Sequence, residues 1–197
     1  MDTRLVAWAR AVKSRHRHEL RPCPVLWLFT DERRLPDPRA SVARLPAGLA
    51  GVVLRHDGDP HRVALGRDLV RICKARRLAL VVAGDVRLAA ALGAGVHLRG
   101  GRWPSHARVR RGWLTSSAHT AAELRRARRA GAGLAFLSPA FPTPSHPDAT
   151  GLGPARWSRL ACAARMPVAA LGGTNHVLVR RLIRPLCRAV GAIDALA

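Results

Sequence analysis

The sequence predicts a small (β/α)8 barrel with an N-terminal helical extension and a short or missing last helix. Eight apolar runs of strand length recur between residues 25 and 197. They are nearly continuous in hydrophobicity, as strands covered on both faces must be. Stretches carrying helix signals separate them, and alternating strand and helix implies parallel pairing through right-handed crossovers. A doubly wound open sheet built from the same alternation is the competing arrangement.

Residues 1–24 read as a basic extension in which Leu5, Val6, Trp8, Ala9 and Val12 recur at helical spacing. That helix is expected to cover a barrel end or an outer position left without a helix. The first strand is Val25 to Thr30, and the second is Gly51 to Arg55. Val63 to Arg77 reads as a helix leading to a third strand, Ala79 to Ala83, and Gly95 to Arg99 forms the fourth. Trp113 to Ala118 is the fifth strand. Thr120 then caps a helix from Ala121 to Ala130, with Glu123 completing a capping box and Gly131 stopping it. Leu134 to Ala140, a helix from Pro154 to Ala164, Pro167 to Gly173, and Ala189 to Leu196 complete the alternation. The chain stops just after the last run, which leaves the eighth helix short or missing.

Composition narrows the function. The chain carries 34 basic against 12 acidic residues, a formal charge of +22, yet 48% of its 197 residues are hydrophobic. That content supports a core and excludes a disordered basic tail. Lys13 and Lys74 are its lysines; the other basic residues are arginines spread along the whole chain. This dispersion fits a compositional bias or anionic small substrates better than a nucleic-acid surface. No uncharged run approaches the roughly 18 residues of a membrane span, and the N-terminus lacks a secretory pattern. A cytoplasmic setting is expected. Cys23, Cys73, Cys162 and Cys187 have neither C-x-x-C nor zinc-site spacing and read as reduced thiols.

In a barrel, chemistry gathers where loops leave the C-terminal ends of the strands, with phosphate commonly held by the last two loops. Those positions hold Arg55, His56 and Asp57, then Gly84 and Asp85, then Arg102, then Ser117 to Thr120. Later come Ser138 to His146, Gly172 to Asn175, and Ile193 to Ala195. Paired glycines let backbone N–H groups approach a phosphate closely. Thr143 and Ser145 add hydroxyls, and the imidazole of His119 suits proton transfer near neutral pH. His97, inside a strand, reads as structural.

Several of these segments together resemble the thiamine-phosphate synthase family, which includes a thiazole tautomerase on the same barrel. The resemblance rests on Leu26-Trp27-Leu28-Phe29-Thr30-Asp31, Leu92 to Leu98, Ser117-Ala118-His119-Thr120, Ser138 to Pro144, and Pro167 to Gly173. Their order and spacing cover residues 25 to 197, without a large insertion.

The resemblance implies thiamine biosynthesis. A transferase would join a pyrimidine methyl diphosphate to a thiazole phosphate and release diphosphate. It implies a thiazole-phosphate cradle of Thr143, Ser145, Gly172, Gly173 and Ile193, with Asp194 where the family usually has serine. On the pyrimidine diphosphate side it implies Arg55, Gly84, Ser117, His146 and Arg102, and Mg2+ at Asp85. That side departs from the family. Val53 and Asp57 replace a glutamine and a lysine, Gly84 replaces an asparagine, and Arg102 stands where a second magnesium carboxylate is expected. Magnesium is therefore doubtful here, with Arg102 its candidate electrostatic substitute. Arg55 and His119 are the catalytic candidates. The same residues also admit a metal-independent tautomerase with His119 as acid–base, or a non-catalytic thiazole-phosphate binder. The expected partners are the two small phosphorylated molecules, without membrane or nucleic acid; a homo-oligomer is left open.

Overall fold

The computed structural model describes residues 1–16, 23–104, 112–143, 150–182 and 186–197. Eight parallel strands close into a barrel in sequence order, β1 pairing with both β2 and β8. They are β1 (Leu26–Phe29), β2 (Ala50–Leu54), β3 (Ala79–Ala83), β4 (Gly95–Leu98), β5 (Leu114–Ala118), β6 (Leu134–Leu137), β7 (Val168–Leu171) and β8 (Cys187–Ala192). The helices are α1 (Thr3–Arg15), α2 (Arg39–Arg44), α3 (Arg62–Arg76), α4 (Val86–Leu92), α5 (Ala121–Arg129) and α6 (Gly153–Ala163). The open sheet is thereby replaced by closure.

Strand alternation divides the core in two. Trp27, Phe29, Val53, Val81, Leu134, Phe136, Ala169 and Ala189 point into the barrel and pack together. Their neighbours in sequence, such as Leu26, Leu28, Val52 and Val190, point outward beneath the helices. The interior is filled by aromatic rings in edge-to-face contact: Phe29 and Phe136 at 4.9 Å, Trp27 and Phe136 at 5.7 Å. Gly51 and Gly191 make the room, since a Cβ on Gly51 would lie 2.6 Å from the Trp27 ring and one on Gly191 2.8 Å from Phe29. His97 joins this plug, Nδ1 bonded to the Thr115 hydroxyl at 2.9 Å. Burial, with Arg55 and Arg99 nearby, pushes its pKa down to about 3, so the ring is neutral.

α1 takes an outer position beside β8 rather than covering a barrel end. Leu5, Val6, Trp8, Ala9 and Val12 are buried in the outer core. The helix is fastened at both ends. Asp2 N–H donates to Ala195 O at 3.0 Å, the amino terminus donates to Ala197 O at 3.1 Å, and Lys13 Nζ donates to Gly48 O. The Asp2 carboxylate caps the helix through the N–H groups of Arg4 and Leu5 and also holds His176 Nδ1 at 2.8 Å. Burial pushes the Asp2 pKa up, but the hydrogen bonds from His176 and the backbone outweigh it, so the net shift is downward.

Three strands end differently from expectation. β6 stops at Leu137, because Pro139 has no N–H for the ladder and Ala140 N–H turns to Leu171 O. β7 stops at Leu171, where Gly172 and Gly173 take positive φ. β8 runs earlier, from Cys187 to Ala192, and the chain then folds back, the N–H groups of Leu196 and Ala197 donating to Ile193 O. α5 starts at its Thr120 cap as expected, although the Glu123 carboxylate accepts from His119 N–H at 2.5 Å, one residue before the usual capping-box partner. No helix of the described residues is long and apolar enough to cross a membrane.

Asp2→Ala should cost about 1 kcal/mol through loss of the cap, lowering Tm by about 2–4 °C for a chain of this size. Because Asp2 titrates below its ordinary 3.8 when folded, its contribution is present above that value. Scanning calorimetry should therefore show the gap between wild type and variant closing as pH falls below 3.8; a gap that stays constant down to acid pH would contradict the assignment.

Candidate functional site

The C-terminal ends of the strands carry a cavity of about 400 Å³ floored by Phe29 and Leu171, within the size range of small-molecule sites. Its walls come from the three loops after β6, β7 and β8. Ser138, Pro139, Pro142 and Thr143 form one side; Gly172, Gly173, Thr174 and Asn175 form the next; Ile193 and Asp194 close the third. Arg34 and Arg55 supply positive charge at the rim. A cavity of similar volume at the opposite end, around Lys74, Arg77 and Trp113, lies at the strand N-termini, where a barrel's residues serve stability.

The glycine loop is held in shape from both sides. Gly172 and Gly173 adopt φ of +88° and +62°, and a Cβ on Gly173 would strike Pro142 O. Only glycine lets the β7 loop pass this close to the β6 loop. Phe141 N–H donates to Gly172 O at 3.1 Å, tying the two loops. The buried Thr174 hydroxyl donates to Gly191 O at 2.7 Å, anchoring the turn to β8. Asn175 Oδ1 accepts from the N–H groups of Val177 and Leu178, and His176 is the partner of Asp2, so α1 braces the same loop.

Asp194 stands exposed at the rim and is paired with Arg34. Its charge is answered locally, so among the described residues no unpaired carboxylate stands at this edge of the cavity. Arg34 is placed by Asp31, whose Oδ1 accepts from the N–H groups of Arg33 and Arg34 at 3.1 Å. Burial raises the Asp31 pKa, but those two hydrogen bonds and the charges of Arg55 and Arg34 lower it further, leaving it below the usual carboxylate value. Arg55 is positioned through its N–H, which donates to the Thr30 hydroxyl at 3.0 Å. Buried His56 completes that anchor. Its Nε2–H donates to Pro36 O at 3.2 Å, leaving Nδ1 to accept from Thr30 at 2.9 Å.

His119 is exposed beside this cavity. Its Nδ1–H donates to Ser138 O at 2.9 Å, which leaves Nε2 outside that bond. Ser117 Oγ accepts from Gly100 N–H at 3.2 Å. Gly84, at φ +69°, passes under the Arg99 guanidinium. Arg102 is exposed, its N–H donating to Arg99 O at 3.1 Å. Ser145 and His146 lie outside the described residues.

Arg34, Arg62 and Arg99 also stand at these strand ends, although no motif singles them out in the sequence. Arg62 is the first residue of α3, and helical side chains lean toward the helix N-terminus, which here means back over the strand ends. Its guanidinium lies 3.1 Å from Asp57 Oδ1 and 3.7 Å from Asp85 Oδ2, and donates to Ala83 O at 2.7 Å. Arg99 takes the other Asp57 oxygen at 2.5 Å. Asp85 Oδ1 is the N-cap of α4, accepting from Leu88 N–H at 2.8 Å. This donor set does not fit magnesium, which wants oxygen ligands in octahedral array. Both carboxylates already face guanidinium groups, and no cluster of three or more metal-ligating side chains occurs among the described residues.

The thiamine monophosphate synthase family model matches residues 26–196. A thiamine-phosphate synthase from Geobacillus kaustophilus is 35% identical over 142 residues, covering 68% of this chain and 63% of the relative's length. The fold is similar to that of thiamine phosphate pyrophosphorylase from Pyrococcus furiosus, with a TM-score of 0.72 at 22% identity over 87% of this chain and 86% of that one. The corresponding protein of Bacteroides thetaiotaomicron gives 0.59 at 19% identity, over 88% and 84%.

Gly173→Ala should destabilise the fold by about 2 kcal/mol or more, through strained φ and a backbone collision. Denaturant unfolding measures it; a loss below about 0.5 kcal/mol, the range of ordinary surface changes, would mean the loop is not packed as described.

Proposed function

The chain belongs to the thiamine monophosphate synthase family, and we propose that it joins a pyrimidine methyl diphosphate to a thiazole phosphate to make thiamine phosphate. The observation that carries this reading is the glycine loop at Gly172 and Gly173, packed beside Thr143 and Ile193 around a cavity rimmed by Arg34 and Arg55. It is a preformed seat for a phosphate with space for a small ring.

In the proposed reaction the bond between the pyrimidine methylene carbon and the diphosphate oxygen breaks. Its electron pair leaves with diphosphate. The thiazole nitrogen then donates its lone pair to the cationic carbon, and the product carries the positive charge on that nitrogen. Two demands fall on the protein. The thiazole phosphate must be held so that its nitrogen faces the reacting carbon, which the rigid loop does through the phosphate. Negative charge growing on the leaving diphosphate must meet positive charge, which Arg55 after β2 and Arg99 after β4 supply, each beside a carboxylate, Asp31 at 3.9 Å and Asp57 at 2.5 Å. Substrates carrying phosphate and diphosphate fit the cytoplasmic setting expected from the sequence.

A second reading has one observation in its favour. The Nδ1–H of His119 is committed to Ser138 O, leaving Nε2 to take and return a proton, as an isomerase acting on the thiazole ring requires.

Purified protein given both substrates should release thiamine phosphate and diphosphate in equal amounts, and Arg55→Gln should lower kcat/KM about 100-fold. Absence of product, together with His119-dependent isomerisation of a thiazole phosphate, would replace the transferase reading by the isomerase.

A further inference from the structure

We propose that Arg62 stands in for a metal ion in this protein, its charge and that of Arg99 together offsetting Asp57 and Asp85 so that diphosphate binds the guanidinium groups at this end of the barrel without a divalent cation. The inference rests on the transferase reading and concerns its diphosphate end.

Arg62 lies between the two carboxylates nearest the ends of β2 and β3. It reaches Asp57 Oδ1 at 3.1 Å with Nη2 and Asp85 Oδ2 at 3.7 Å with Nη1. The same Nη2 donates to Ala83 O at 2.7 Å, which fixes the guanidinium at the end of β3. Its side chain is 14% exposed, against 62% for Arg99 and 45% for Arg55. A largely covered guanidinium in such a seat is held more tightly than a solvated surface arginine. Its Nε is buried without a partner among the described residues, so the group is held by its two terminal nitrogens.

The alternative occupant fits badly. Magnesium holds its ligands in a near-ideal octahedron and is commonly bound through one or two carboxylates and substrate phosphates. Here one Asp85 oxygen caps α4, and both Asp57 oxygens face arginines. A divalent cation would have to displace the Arg62 guanidinium from both carboxylates. Arg62, with Arg99 on the far oxygen of Asp57, already supplies positive charge to two carboxylates that otherwise repel an anion.

Arg55 lines the cavity at the barrel mouth, with Asp31 3.9 Å away, and Arg99 reaches from the end of β4 to Asp57, its side chain still largely exposed. Planar guanidinium forks match phosphate oxygens in paired hydrogen bonds, and the charge stays on at every physiological pH.

The test is calorimetric binding of inorganic pyrophosphate to the intact protein, in EDTA and in magnesium, beside a separate titration with thiazole phosphate. Wild type should bind pyrophosphate with Kd unchanged within about twofold between the two conditions. Arg62→Met should weaken binding in EDTA by about 10–100-fold, the range of a lost charged hydrogen-bond partner. Magnesium should restore much of that loss, because the two carboxylates then form a vacant cation seat. Arg62→Lys keeps the charge and should stay closer to wild type. If Arg62→Met melts early, Arg99→Gln at the exposed position should show a loss of at least about fivefold in EDTA. Pyrophosphate binding by wild type only with magnesium, or EDTA binding indifferent to Arg62→Met, overturns the inference. Thiazole phosphate bound while pyrophosphate in EDTA is not sinks this inference alone; neither ligand bound sinks the transferase reading as well.

Discussion

Everything above the strand ends depends on the aromatic plug inside the barrel. Trp27, Phe29 and Phe136 meet edge to face, with His97 against Phe29 at 5.5 Å, and glycines at 51 and 191 open the space they fill. A barrel this small has no pore; its interior must be packed, and packing fixes the height of the floor. Phe29 is both the top of the plug and the bottom of the cavity. The plug also sets electrostatics. A buried imidazole with pKa near 3 contributes no charge, so the arginines above it act on a neutral surface.

On that floor the loops divide the labour by charge and backbone. The side formed after β6, β7 and β8 offers glycine backbone, hydroxyls and the Arg34–Asp194 pair. The side formed after β2, β3 and β4 offers arginines interleaved with Asp57 and Asp85. The large net charge thereby acquires a local meaning, since the arginines at the mouth hold specific carboxylates, while Arg125, Arg128 and Arg129 stay exposed on α5. α1 links stability to the site, because Asp2 both caps that helix and holds His176 just past the glycine loop.

Much of the fold was legible because it rests on local signals. Apolar runs located all eight strands, the Thr120 cap located α5, and the spacing of Leu5, Trp8 and Val12 located α1. Strand ends were less legible, since apolar residues continue past Leu137 and Ala192 while the backbone turns away. Gly172 and Gly173 were readable as a loop that needs glycine. The Arg62 seat was not, because it depends on three residues from separate segments meeting at one point. In sequence Arg62 is one arginine among many at a helix start. Its helical position, tilted back over the strand ends, is the signal that singles it out.

The proposed function stands or falls on the loop at Gly172 and Gly173 holding the phosphate of a thiazole, which a crystal structure of the protein with thiazole phosphate would decide. The account predicts the phosphate within hydrogen-bond distance of the Gly173 N–H, its ring over Phe29. A phosphate found instead among Arg55, Arg62 and Arg99, with the glycine loop empty, would contradict it.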